Sequence, residues 1–375
     1  MRIERIRASL LQLPATAPAP ARRHLFVEVF DSDGAAGMSI SEWDSAAAPG
    51  SFVDECLAPA VIGRDAAAVV LRWHDMQAAL AARKSAADAT GVAVLAAIDA
   101  ALWDLHGKRM GAPLFRLWGE HRTALDAVAT GLAMDESGGD PWGAPRPADI
   151  PGTDENIASS IDAARRAGFG GIVLTVARGR SPGSAAQALH AARSHAGDEF
   201  ALCVDGGSQW VDDDALAFAQ RAVGATPAWF SNPCRAATPE ALARIRGNSG
   251  IALAAAPPAF GDAALVSLLA AQAVEVCRLA SRRCGGPTAW LRAARQAACF
   301  GVGIAHPGDP LLAAHLLAAV GNGANLELSV HSLTALAPVA HVGHRLRDGR
   351  LELDAAPGWG IRVDAEAVRR YASSS

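Results

Sequence analysis

From residue 124 onward the chain alternates short apolar runs with longer Ala-rich segments whose apolar positions recur at helical spacing, the two kept apart by loops bearing Gly or Pro. Ala124 to Thr130, Gly171 to Val176, Phe200 to Val204, Ala228 to Phe230, Ile251 to Ala255, Val274 to Leu279, Gly301 to Ala305 and Asn325 to Val330 read as strands. Runs with no polar alternation are buried on both faces, as parallel strands are. Helices are predicted over Ile157 to Ala167, Ala185 to Ala196, Asp213 to Val223 and Thr288 to Phe300. Eight such units point to a (β/α)8-like barrel; an open doubly wound sheet would normally have fewer strands and a phosphate-binding Gly turn. Neither the G-x-G-x-x-G turn nor the P-loop pattern follows any strand, which argues against nucleotide binding.

The first 120 residues follow a different rhythm. Arg2 to Leu13, His24 to Phe30 and Gly37 to Trp43 read as an antiparallel meander, its second pair joined by the turn at 31–34. The proline-rich stretch PATAPAPARR at 14–23 is unsuited to a strand interior and reads as a loop able to lie over something. Helical patterns follow at Phe52 to Ala60, Ala66 to Leu80 and Gly91 to Leu105, with Asp65 as N-cap of the second. The tail returns to this style, with a strand at Arg350 to Leu353, a break at Pro357 to Gly360 and a short helix at Glu366 to Tyr371. The expected organisation is an α+β capping domain at 1–120, a barrel at 121–340 and a C-terminal segment at 341–375 returning to the cap.

Composition narrows the partners. A formal net charge of −4, with no Lys/Arg block interleaved with aromatics, excludes a nucleic-acid surface. The start of the chain alternates charged and apolar residues, and no apolar run reaches membrane-spanning length, so a cytoplasmic protein without a membrane partner is expected. Six cysteines are scattered without a CxxC pair and read as buried thiols. A zinc cluster would require Cys203, Cys234 and Cys277 to converge, and packing is the favoured reading.

The stretch ALCVDGGSQW, 201–210, drives an apolar run into one carboxylate, Asp205, followed by two glycines. A barrel strand ending in this way delivers a chemical group to a pocket. Asp205 has two readings, a metal ligand or an acid that caps the following turn by hydrogen-bonding the Gly206-Gly207 backbone.

The segment AIDAALWDLHGKRMGAPLFRLWG, 97–119, resembles the signature helix and turn of the mandelate racemase and muconate lactonising branch of the enolase superfamily. The meander around Gly37, VDGGSQW at 204–210, Trp229-Phe230 leading to Pro233, Gly285-Gly286 and PGWGIRVD at 357–364 extend the resemblance over nearly the whole chain. It implies an α+β cap on a modified (β/α)7β barrel and frequent assembly as a homo-oligomer. It also implies abstraction of a proton α to a carboxylate, with the enediolate stabilised by Mg2+ and a Lys or His as base.

Position by position, the implied machinery is incomplete. Asp205 matches the ligand of the third barrel strand, but Ser231 and Pro257 stand where the fourth- and fifth-strand acids belong. Val173 and Thr175 replace the second-strand lysines, and Ala280 replaces the aspartate that orients the base histidine. His306 remains as candidate base, one residue out of step with the family's Pro-His order, or else as a rim histidine bonded to Asp309 or a backbone carbonyl. Glu327 corresponds loosely to an eighth-strand acid. Mg2+ is therefore implied by the family and expected to bind weakly or not at all. Arg178, Arg180, Arg235, Arg282 and Arg283 lie in loops after the strands, and Arg178 and Arg282 are the candidates for clamping a small carboxylate or other anion. Three functions follow: a family member whose metal-assisted proton abstraction is impaired or lost, an active dehydratase or racemase on acid sugars or hydroxy acids with a non-standard site, and a metal-free anion-binding or interaction protein.

Overall fold

Strands Ile3–Leu13, Arg22–Asp31 and Ala36–Glu42 form an antiparallel sheet in chain order. The structure, a computed structural model, describes residues 1–14, 22–45, 47–83, 89–130, 149–150, 154–176, 178–257, 261–329 and 336–372. Most of the proline-rich stretch at 14–23 lies outside the described residues. Alternate side chains of the sheet, among them Ile3, Leu25, Val27 and Val29, are buried in one cluster with Trp73, Met76, Leu95 and Ile98 from the helices beneath. Gly37 is required here because a Cβ would lie 2.2 Å from the Ala101 carbonyl oxygen. The third strand thus lies directly on the backbone of helix Ala89–Met110.

That 22-residue helix alone, among the described residues, is long and apolar enough to cross a membrane, which qualifies the expectation drawn from apolar runs. In the structure 67% of its most apolar window is buried, packed between cap sheet and barrel. Asp99 and Asp104, both buried within it, fix the cap to the rest of the chain. Asp99 accepts hydrogen bonds at 2.8 Å from the backbone and hydroxyl of Thr288, and Asp104 accepts from the backbone of Met38 and Trp359. Helix Val69–Ala82 starts three residues later than a cap at Asp65 would allow. The Asp65 carboxylate instead accepts from the Ala67 backbone in a tight turn.

Eight parallel strands follow: Ala124–Thr130, Gly171–Val176, Ala201–Asp205, Trp229–Ser231, Leu253–Ala255, Val276–Arg278, Gly303–Ala305 and Leu326–Ser329. Each pairs in register with the next from first to seventh, and the eighth pairs with the first. The ring closes through an Ile304–Gly323 bridge just before the eighth strand. Among the described residues each connection between consecutive strands carries one longer helix, Asp154–Arg166, Pro182–Ala196, Asp212–Ala222, Pro239–Ser249, Asp262–Ala270, Pro287–Cys299 and Pro310–Ala319, with a short helix Ser281–Cys284 before the sixth of these. Four of them open on proline, whose fixed φ and missing N–H suit the first helical position.

The barrel lumen is layered. Val128, Val173, Cys203, Trp229 and Ala254 make a buried apolar layer. Two residues further along their strands, on the same side, come Thr130, Thr175, Asp205 and Ser231. Strand Arg350–Glu352 adds antiparallel to the first barrel strand, Leu351 facing Leu125. Trp359 then donates its indole N–H to the Ala100 carbonyl and Ala372 bridges Leu11, so the segment beyond the strand packs on N-terminal elements.

Candidate active site

A cavity of about 340 Å³ lies over the C-terminal ends of the barrel strands, roofed by Glu42, Trp73, Gln77 and Val92 of the N-terminal unit. Asp205, Asn232, Pro257, Arg278 and Glu327 are among its barrel-side walls. Strand ends and the loops after them converge here, because a parallel barrel points all its C-terminal ends the same way.

Asp205 is 6% exposed and both its oxygens are engaged. Oδ1 accepts from the Gly207 backbone N–H at 2.8 Å, the turn-capping contact. Oδ2 accepts from the Ser231 hydroxyl at 2.9 Å, the Asn232 amide at 2.8 Å and Arg278 Nη1 at 3.4 Å. The two glycines make this possible. A Cβ on Gly206 would meet the Asn232 carbonyl oxygen at 2.7 Å, so only glycine lets the turn approach the neighbouring strand end, and Gly207 takes a positive φ of 63°.

Arg278 is the residue that the strand and motif reading missed. It ends the sixth strand, two positions beyond Val276, and its side chain crosses to three other strands. Nε and Nη2 donate to the two Glu327 oxygens at 3.1 and 2.5 Å, a bidentate pair, while Nη1 reaches Ser231 Oγ at 3.2 Å and Asp205. The guanidinium lies over the Trp229 ring, 5.1 Å from its centroid. Burial by itself lowers the pKa of this group, but the Glu327 and Asp205 carboxylates outweigh burial and raise it above the ordinary arginine value. The signal was present in the sequence: the run 274–279 carries two charged residues, Glu275 and Arg278, and Arg278 is the one at strand spacing from Val276.

The ends of the second, fifth, sixth and seventh strands offer little further acid–base capacity among the described residues. Val173 is in the apolar layer, and Thr175 is buried, its hydroxyl without a partner among the described residues. Ala256, Pro257 and Ala280 line the cavity without a titratable group. His306 is fully buried and lies behind the wall. Its Nδ1 donates to the Gly308 carbonyl at 2.9 Å, and Nε2 takes hydrogen bonds from the Ser281 backbone N–H and hydroxyl, each at 2.9 Å. Burial pushes its pKa down to about 4, so the imidazole is neutral with its lone pair already used. Three residues on, Asp309 does line the cavity, in a left-handed backbone conformation at φ 42°. Burial raises its carboxyl against the lowering influence of Arg282 and the Glu42 backbone N–H.

Of the candidate anion clamps, Arg282 lines the cavity and pairs with Asp44 at 3.4 Å, whereas Arg178 is exposed and lies outside the lining. Arg235 donates to the Gln209 carbonyl. All six cysteines are free thiols; Cys203 is buried in the apolar layer, and burial raises its pKa. Among the described residues no group of three or more His, Cys, Asp or Glu side chains is placed to hold a metal ion.

A capped (β/α)7β barrel with two strand carboxylates at its cavity, Asp205 on a V-D-G-G turn and Glu327 on the eighth strand, defines the class of fold and site, and comparison with known proteins gives the family. The N-terminal domain of mandelate racemase and muconate lactonizing enzyme matches residues 14–119, and the enolase C-terminal domain-like family matches 156–368. The chain belongs to the enolase superfamily, in its mandelate racemase/muconate lactonizing enzyme branch. It is 26% identical to a 3,6-anhydro-alpha-L-galactonate cycloisomerase of Streptomyces coelicolor over 99% of both chains. It is 28% identical to an L-talarate/galactarate dehydratase of Salmonella typhimurium, over 75% of this chain and 66% of that one. A mandelate racemase/muconate lactonizing enzyme of a marine actinobacterium, solved in complex with magnesium, superposes with a TM-score of 0.86 at 26% identity, covering 100% and 99% of the two chains. An L-talarate dehydratase from a Polaromonas species, solved with Mg and L-glucarate, superposes with a TM-score of 0.84 at 25% identity over 100% and 98%.

Proposed function

We propose that this protein is a family member in which metal-assisted abstraction of an α-proton has been lost, leaving a metal-independent site for a small acid-sugar-like ligand beneath the cap. The observation that carries this reading is the occupation of Asp205 by internal donors, Arg278 among them. Magnesium demands near-octahedral oxygen donors and usually takes one or two carboxylates. Strands three to five supply Asp205, a serine and a proline, and this donor set does not fit the ion. A divalent ion about 4 Å from a fixed guanidinium would be repelled by on the order of 8 kcal/mol at an effective dielectric near 20. With Val173, Thr175 and Ala280 inert and both His306 nitrogens engaged, no base faces the cavity in the family's manner among the described residues. Support for the ligand class comes from the relatives, whose names refer to galactonate, talarate and galactarate.

Calorimetric titration of the protein with MgCl2, alone and with galactarate or glucarate present, tests the reading. The expected outcome is no heat of magnesium binding in either case. A stoichiometric isotherm that vanishes in Asp205→Asn would overturn it. An active acid-sugar enzyme is the second reading, favoured by the near-complete coverage of the Streptomyces cycloisomerase.

A further inference from the structure

The loss of two ligand acids leaves Asp205 and Glu327 as buried carboxylates of the lumen end, 6% and 8% exposed. Two negative charges in so little water require a cation. Arg278 reaches both, and the other cavity arginines with assigned carboxylate partners are committed elsewhere, Arg282 to Asp44 and Arg292 to Asp262. We propose that Arg278 is the permanent cation of this site, doing for Asp205 and Glu327 what a divalent ion does for three carboxylates, and that neutralising it uncovers a divalent-cation site at those two acids. The proposal rests on the reading given above.

Charge and geometry both support it. Two carboxylates and one guanidinium sum to −1, the same sum as three carboxylates and a divalent ion. The guanidinium is also held in place. Glu327 grips its Nε and Nη2, Ser231 and Asp205 receive Nη1, and Trp229 backs its face. A side chain fixed on four sides is part of the floor of the site, not a swinging arm. The Asp205 contact, at 3.4 Å, is looser than the Glu327 pair, so Asp205 retains lone-pair capacity that a small hard cation would take once the guanidinium is gone. Ser231, which stands in the place of a ligand acid, supplies a neutral oxygen 2.9 Å from Asp205.

The test uses the full-length protein and Mn2+ as probe, followed by electron paramagnetic resonance and by thermal midpoint. Wild type and Arg278→Lys, which keeps the charge, are expected to bind no Mn2+ and to show no shift of Tm at millimolar metal. Arg278→Met, which keeps the volume and removes the charge, is expected to lose about 4 °C in metal-free buffer. It then binds one Mn2+ and recovers the lost stability, and adding Asp205→Asn abolishes both effects. A role of Arg278 in packing alone predicts no recovery with metal. Should Arg278→Met be recovered unfolded, Arg278→Gln and refolding of Arg278→Met in Mn2+ carry the same expectation. Failure of both variants to bind Mn2+ overturns this proposal while leaving the loss of metal-assisted chemistry standing. Mn2+ binding by wild type that Asp205→Asn removes overturns both.

Discussion

Replacing Glu327 by glutamine keeps its shape and removes its charge, leaving the buried Arg278 guanidinium with the looser Asp205 contact as its remaining paired carboxylate among the described residues. The side chains are 11% and 7% exposed, so the pair is nearly desolvated. Breaking one side of a buried ion pair costs about 3–5 kcal/mol, because the remaining charge has lost its partner. Asp205 at 3.4 Å offsets a part, so a loss of about 3 kcal/mol is expected for Glu327→Gln. With an unfolding entropy of about 2.1 cal/mol/K per residue over 375 residues, that corresponds to a fall in Tm of about 4 °C. Arg278→Met should cost a similar amount in metal-free buffer. The double variant Arg278→Met/Glu327→Met removes both charges, so it should be no less stable than either single variant. Calorimetric scans at one ionic strength of wild type, Arg278→Met, Glu327→Met and this double variant give the coupling, expected near 3 kcal/mol. A coupling below about 0.5 kcal/mol would show that the pair is not the electrostatic centre of the barrel end, and the reasoning built on it would be refuted.

Two buried groups should give pH dependences of opposite sign. Burial raises the Asp99 pKa to about 7, so its contribution to stability is present below the unfolded value and is lost as pH rises through about 7. Relative to Asp99→Asn, wild type should therefore gain about 3 kcal/mol between pH 8 and pH 5, read as a change in the Tm difference. His306, depressed to about 4, contributes stability above the unfolded pKa that is lost as pH falls towards 4, so wild type should lose about 2 kcal/mol relative to His306→Gln between pH 8 and pH 5. Gly206→Ala would drive a Cβ against the Asn232 carbonyl oxygen, and a loss of about 1–3 kcal/mol in thermal or denaturant unfolding is expected from the displaced strand end.

The barrel was legible because apolar runs with no polar alternation leave little choice but buried parallel strands. Ala124–Thr130 and Gly171–Val176 fall at the boundaries the pattern gives, the third and fourth strands lie one residue later at the same length, and the fifth to seventh are shorter than their apolar runs. Helix starts were less legible: Pro182 and Pro287 read as loop, yet each is the first residue of its helix. Asp65 looked like an N-cap from its type alone, but its carboxylate closes a turn before the helix begins. Asp205 and Glu327 could be placed from sequence since motif order fixes their strands. What bonds them could not, because Arg278 is 73 residues from Asp205 and 49 from Glu327, and such a partner is decided by barrel closure. His306 shows the same limit. Its residue type suggests a base, whereas its two nitrogens are satisfied by Gly308 and Ser281 on either side of the wall.

The decisive measurement is proton NMR of galactarate, talarate and glucarate incubated with the protein in deuterated water, with and without MgCl2. The structure predicts no incorporation of deuterium α to the carboxylate above the enzyme-free rate in either condition. Magnesium-dependent exchange that disappears in Asp205→Asn would contradict it, and would mean that the Arg278 guanidinium gives way to the ion.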